Sequence, residues 1–248
     1  IKKRRPSAPF STSTLQQDAS RKLRFSTRKT MVIAQQLYEG VDIKGYGTTG
    51  LVTYIRTDTT RVSNEAINSV RETILERYGK EYLPEKPNVY KAKKNAQDAH
   101  EAIRPSQLEL MPDKIKAELT NDQFKLYTLI YNRFVSSQMM PAQFDSISAD
   151  IVSGGYTFRA NGQRLRFKGF LAVYKNYGEN EAEDKNSLLP PIKKDDVCKL
   201  KKANPKQNFT QPPARYNEAS LVRALEEKGI GRPSTYSPII STIIDRKY

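Results

Sequence analysis

Tyr54, Arg56 and Asp58 alternate along Gly50-Leu51-Val52-Thr53-Tyr54-Ile55-Arg56-Thr57-Asp58-Thr59-Thr60, where strand-forming residues run into a cluster of hydroxyls. A tyrosine oxygen can attack phosphorus and hold a covalent intermediate. Its ordinary pKa near ~10 leaves it protonated at neutral pH, so it needs help. Arg56 can supply it: a guanidinium keeps its charge, fits phosphate oxygens with a planar fork and stabilises charge that develops during transfer. The same residues also fit a half-buried strand with Tyr54 in a core and Arg56 paired to Asp58. The segment alone leaves both readings open.

Two further stretches carry groups that bind anions. His100, Glu101 and Arg104 stand before Pro105, which disfavours helical geometry for Arg104 and predicts a loop presenting these side chains. A lone histidine is as readily structural as functional, and its tautomer and charge are not legible in sequence. In Gly229-Ile230-Gly231-Arg232-Pro233-Ser234-Thr235-Tyr236 the glycines break a helix, and Ser234 and Thr235 open the next beside Arg232. Such a helix N-terminus can hold a phosphate through amides and hydroxyls, or simply be capped.

Taken together, the three stretches resemble the bacterial type IA DNA topoisomerases. Thr53 to Thr60 matches the family pattern T-Y-x-R-T-D-[ST]-T, and Ala99-His100-Glu101-Ala102-Ile103-Arg104-Pro105 and the Gly229 to Tyr236 block follow in family order. Ser13-Thr14-Leu15-Gln16-Gln17 and Pro213-Ala214-Arg215-Tyr216 also read as family segments, so the resemblance extends over nearly the whole chain.

The resemblance implies that Tyr54 attacks a phosphodiester of single-stranded DNA, forms a 5'-phosphotyrosine link and frees a 3'-hydroxyl. Religation after strand passage then relaxes negatively supercoiled DNA without ATP. It implies that Arg56 stabilises the phosphoryl charge, that His100, Arg232 and Arg246 position the strand, and that Thr53, Thr57, Asp58, Arg104, Ser234 and Thr235 orient or bind it. The family's Mg2+ is held by a glutamate and a D-x-D-x-E motif in a Toprim domain. Neither motif is found here, Asp195-Asp196 does not replace it, and the family's zinc modules are missing too. The chain begins at Ile1 and ends at Tyr248 within a helical segment. It therefore reads as a piece of a larger monomeric enzyme, expected to bind DNA, to carry no metal of its own and to need the Toprim domain in cis for relaxation.

The elements that must position these groups follow from periodicity. Ser13-Thr14-Leu15-Gln16-Gln17 reads as a capping box opening a helix with Leu15, Ala19 and Leu23 inward and Arg21, Lys22 and Arg24 outward. A second helix is predicted over Thr30 to Tyr38 with Val32, Ile33 and Leu37 inward and Gly40 as its stop, and Gly45, Gly47 and Gly50 frame a flexible connector. Ser63-Asn64-Glu65 caps a third helix bearing Ala66, Ile67, Val70 and Ile74 and ending at Gly79. Thr120-Asn121-Asp122-Gln123 opens a long one whose Phe124, Tyr127, Ile130, Tyr131 and Phe134 make a packing stripe. From Phe144 the period becomes two, with turns expected at Gly154-Gly155 and at Asn161-Gly162; Val197 to Leu200 reads as a further strand and Glu179 to Asn186 as an exposed loop. Two helices follow Pro212-Pro213, separated by Gly229 and Gly231. The fold class is α+β. By resemblance, residues 1–11 and 143–212 form a β arch, 12–142 a helical lobe carrying Tyr54, and 213–248 the start of a helical DNA-binding domain.

Composition narrows the partner. The 248 residues carry a net charge of +15, which favours a polyanion because each neutralised phosphate releases counterions. No apolar run approaches the ~20 residues that span a bilayer, and no signal pattern opens the chain, so a cytoplasmic, membrane-free protein is expected. The single cysteine and single histidine exclude an intrachain disulfide and cysteine- or histidine-rich metal clusters. Other functions account for fewer of these residues. A helix-turn-helix regulator explains the charge and the last two helices but leaves the Tyr54 and His100 blocks without a role. A tyrosine recombinase needs more histidines, and a noncatalytic single-strand-binding module would form no covalent adduct.

Overall fold

The computed structural model describes residues 1–90, 100–174 and 189–248. The first helix, α1 (Thr12–Asp18), is capped two residues earlier than its sequence pattern indicated, at Ser11 rather than Ser13. Ser11 and Thr14 form the capping box, and Ser13, buried, is left to other partners. A π-helical turn, Ala19–Leu23, continues it to Arg24, in left-handed conformation at φ 59°. Lys22 does not face solvent there: its ammonium lies 3.3 Å from the centre of the Tyr174 ring. Helix α2 (Thr27–Glu39) starts three residues before the predicted Thr30 because Ser26 caps it, its Oγ accepting from the Lys29 N–H at 3.1 Å. It stops at Gly40, whose φ of 127° suits only glycine.

The glycine-framed connector is ordered as a small hairpin of its own. With Lys2–Arg4 as β1, the strands β2 (Val41–Ile43) and β3 (Gly47–Thr49) pair antiparallel. Helix α3 (Asn64–Tyr78) and helix α4 (Asn121–Ser137) begin at Ser63 and Thr120 as their sequences dictate. The α4 stripe is core: Tyr127, Ile130, Tyr131 and Phe134 are all buried, and Tyr127 and Tyr131 donate to the carbonyls of Leu110 and Leu108 at 2.7 and 2.8 Å. Those two bonds spare buried hydroxyls the cost of going unpaired.

Strands β4 (Ala142–Ser153) and β5 (Tyr156–Phe167) form one long hairpin, and β1 adds to its base in the order β1-β4-β5. Only the first expected turn exists. Gly154 and Gly155 take it with φ of 56° and 81°, a pair of positive values that matches strand twist. Asn161 and Gly162 lie inside β5 opposite Ser148 and Ile147, because one reversal already sets the register of both strands. Val197 to Leu200 forms no strand: it is exposed and pairs with nothing regular. The Glu179 to Asn186 stretch lies outside the described residues.

The chain closes with α5 (Glu218–Glu227), capped by Asn217, and α6 (Tyr236–Asp245). One apolar core runs from Phe10 through α1 to α4 to Phe144, Phe170 and Tyr174. Val222, Leu225, Tyr236 and Ile240 make a second, small core between α5 and α6.

Candidate active site

The Tyr54 segment is not a ladder strand: it bends at Thr53 and Ile55, and its one bridge joins Val52 to Pro105. Burial nonetheless alternates along it from Tyr54 to Thr59. Ile55, Thr57 and Thr59 point inward at 1%, 3% and 0% exposure, while Tyr54, Arg56 and Asp58 occupy the accessible side. Anchors hold it at every level. The Leu51 N–H donates to Leu37 at the end of α2 at 2.7 Å, and Thr53 N–H to the Arg104 carbonyl at 2.9 Å. Thr12 Oγ1, fully buried, donates to the Ile55 carbonyl at 2.7 Å and accepts from the Thr57 N–H at 2.9 Å.

The His100 block is laid against this segment by the Thr53 hydroxyl, which donates to the Ala102 carbonyl at 2.8 Å and accepts from the Arg104 N–H at 3.0 Å. Phe10 and Arg61 accept from the amides of Ile103 and Ala102 at 2.7 and 2.8 Å. His100 thereby faces Tyr54, ring centres 4.6 Å apart and planes inclined by 44°, and Tyr38 meets the Tyr54 ring edge-on at 5.6 Å. Ala99 of this block is outside the described residues.

The third block arrives through α5 and α6. A cavity of about 330 Å³ is lined by Tyr54, Arg56, Thr57, Asp58, His100, Arg232, Pro233 and Ser234, drawn from all three blocks. A second hollow of about 480 Å³ shares Arg56, Pro233 and Ser234 with it and runs between α2 (Arg28, Val32, Gln35, Gln36, Glu39) and the start of α6. Val32, expected inward, is 52% exposed and forms part of that wall. Burial above all pushes the Tyr236 phenol up, Glu226 and Asp58 adding to this and Arg232 opposing it.

Not every candidate lies in the cavity. Arg104 turns to Glu101 at 2.9 Å and to the Pro105 carbonyl, beside a separate hollow under α3. Thr53 is spent on the two bonds above. Thr235 closes its own turn, accepting from the Arg232 N–H at 2.8 Å. Arg246 lies past the end of α6 and lines neither hollow. Sequence reading gave Thr12, Tyr38 and Glu226 no role and took Ser13 only as a helix cap and Glu218 only as a helix start; Ser13 and Glu226 are 213 positions apart.

Asp58 is the one carboxylate among the side chains lining the Tyr54 cavity. Among the described residues no group of three or more His, Cys, Asp or Glu could hold a metal ion. Among them, too, no helix is long and apolar enough to cross a membrane.

An α+β chain that gathers a tyrosine, two arginines and a histidine from distant segments defines a class that the comparisons specify. The profile of a family described as DNA topoisomerase matches residues 1–248. DNA topoisomerase 1 of Rickettsia felis is 52% identical over 249 residues, covering 99% of this chain and 32% of that protein. DNA topoisomerase 1 of Rickettsia bellii is 51% identical, with 99% and 31% covered. The structure of full-length topoisomerase I from Thermotoga maritima superposes with a TM-score of 0.80 at 37% identity, over 100% of this chain and 39% of that one. The chain belongs to the bacterial type IA DNA topoisomerase family. It spans about a third of the length of the curated relatives it matches.

Proposed function

We propose that this chain carries the cleaving tyrosine of a type IA topoisomerase and that Tyr54 breaks and reseals single-stranded DNA. The observation that carries the reading is the convergence of Tyr54, Arg56, His100, Arg232 and Ser234 on one cavity from three separated segments. Phenol oxygen attacks phosphorus; the bond from phosphorus to the 3'-oxygen breaks, and the phenol proton ends on that oxygen. The phosphoryl group stays ester-linked to Tyr54, so the bond energy is conserved and the step runs backward without ATP. Arg56 and Arg232 meet the phosphate oxygens as their charge grows. His100 braces the Tyr54 ring and faces the same anion.

The hollow between α2 and α6 continues the path of the strand, its apolar walls facing bases and its Arg28 and Arg56 facing phosphates. Relaxation of negatively supercoiled DNA belongs to the whole enzyme, in the cytoplasm and as a monomer. Its Mg2+ is bound by a Toprim domain and not by this chain. The arch of residues 1–11 and 143–212, the lobe of 12–142 and the helical segment of 213–248 are then its domains.

The test mixes this chain with a separately made Toprim domain, Mg2+ and a labelled single-stranded oligonucleotide. A denaturation-resistant adduct on the 5'-phosphate side, lost in Tyr54→Phe, is expected. An adduct that survives the substitution refutes the assignment.

A further inference from the structure

The pair α5–α6 brings Arg232 and Ser234 to the cavity, yet it is fastened to the lobe in an unusual way. Its core of Val222, Leu225, Tyr236 and Ile240 is separate from the main one, and residues 190–217 leading to it are exposed and without regular structure. Two carboxylates reach across. Glu218 Oε2 accepts from the backbone N–H of Thr27 at 2.6 Å, in the first turn of α2, where the helix dipole favours negative charge. Glu226 Oε1 accepts from Ser13 Oγ at 2.6 Å. Charge-assisted bonds of this length are the strong kind.

Their targets explain the arrangement. Ser13 is 2% exposed, and its neighbour Thr12 holds the back of the Tyr54 segment through Ile55 and Thr57. The first turn of α1 is therefore a junction, one hydroxyl gripping the nucleophile's backbone and the next gripping α5. Gripping α5 fixes where α6 starts, and Arg232 and Ser234 stand at that start.

We propose that Glu218 and Glu226 are a two-point carboxylate clasp that assembles the Tyr54 cavity by seating Arg232 and Ser234 against it. Both are positioning residues, and the consequence for DNA cleavage rests on the function proposed above. When the clasp opens, the lobe keeps Tyr54, Arg56 and His100 but loses the groups that α6 supplies. DNA that bridges both sides closes it again, so the clasp sets the apparent affinity rather than the chemistry at saturation.

The test reads docking directly, by pulsed electron resonance between spin labels at Glu72→Cys on α3 and Arg223→Cys on α5, in a Cys198→Ser chain. One short distance is expected with the native carboxylates. In Glu218→Ala, and separately in Glu226→Ala, a longer population appears and the undocked-to-docked ratio rises about tenfold, the equivalent of ~1.4 kcal/mol. Ser13→Ala opens the same contact from the other side, and Glu226→Gln, which keeps an accepting oxygen, restores most of the docking. An unchanged distance distribution in Glu226→Ala and Ser13→Ala chains that retain their helix content overturns the clasp.

In the adduct assay the alanine variants are expected to need about tenfold more oligonucleotide for the same plateau. A lowered plateau with unchanged distances also counts against the clasp. If no chain forms an adduct, the cleavage reading falls, while the distances still decide the clasp.

Discussion

Thr12→Val offers the sharpest test of how the Tyr54 segment is held. Valine matches threonine in shape, so the fully buried site loses a hydroxyl and no volume. That hydroxyl donates to the Ile55 carbonyl and accepts from the Thr57 N–H, so the substitution strands two backbone groups on either side of Arg56. Each stranded buried group costs ~1–3 kcal/mol, and partial relaxation brings the sum to about 2–4 kcal/mol. For a chain of this size that lowers Tm by roughly 5–15 °C, measured by circular dichroism. The Tyr54 segment loosens in the direction of the cavity, and adduct yield falls by roughly 10- to 100-fold, as small misplacements of reacting groups do. Thr12→Ser keeps the hydroxyl and gives up one methyl group, at a cost of about 1 kcal/mol. A Thr12→Val chain within ~0.5 kcal/mol of the parent, or one destabilised no more than Thr12→Ser, refutes the argument that this hydroxyl sets the segment.

Gly50→Ala acts at the other end of the same segment: a Cβ there would lie 2.7 Å from the Tyr38 carbonyl oxygen, and neither backbone can yield without moving Leu51 from α2. A loss of about 2–3 kcal/mol, with reduced adduct yield, is expected from denaturant unfolding. A third prediction concerns alkali. Burial pushes the phenols of Tyr90, Tyr127 and Tyr174 well above the ordinary tyrosine value. The folded state thus holds protons that the unfolded state gives up near pH ~10, so their contribution is fully present below that pH and is lost as pH rises beyond it. In a chain without tryptophan, tyrosinate absorbance reads this cleanly: these phenols should ionise only as helix signal is lost, whereas ionisation of all 14 tyrosines together in a folded chain contradicts it.

Helix caps and stripes were legible because they are local. Ser63, Thr120 and Asn217 each supply a side-chain oxygen to an amide three residues on, and α4 shows its buried face at 3.6-residue spacing. Turn signals competed and misled: Asn161-Gly162 has the chemistry of a hairpin, but Gly154-Gly155 had already reversed the chain. The types of Tyr54, Arg56, His100, Arg232 and Ser234 are compatible with phosphate chemistry, since side-chain identity fixes what a group can bind, but by themselves they left a structural reading open. Which of the candidates share a cavity was a tertiary matter. Thr53, Thr235 and Arg104 spend their polar atoms on nearby backbone or on Glu101, and Arg246 falls beyond the helix end. The residues that gather the site, Thr12, Ser13, Glu218 and Glu226, are bound to partners 43 to 213 positions away. Spacing along a chain carries no trace of such distances; only the packing of α1 between the Tyr54 segment and α5 decides them.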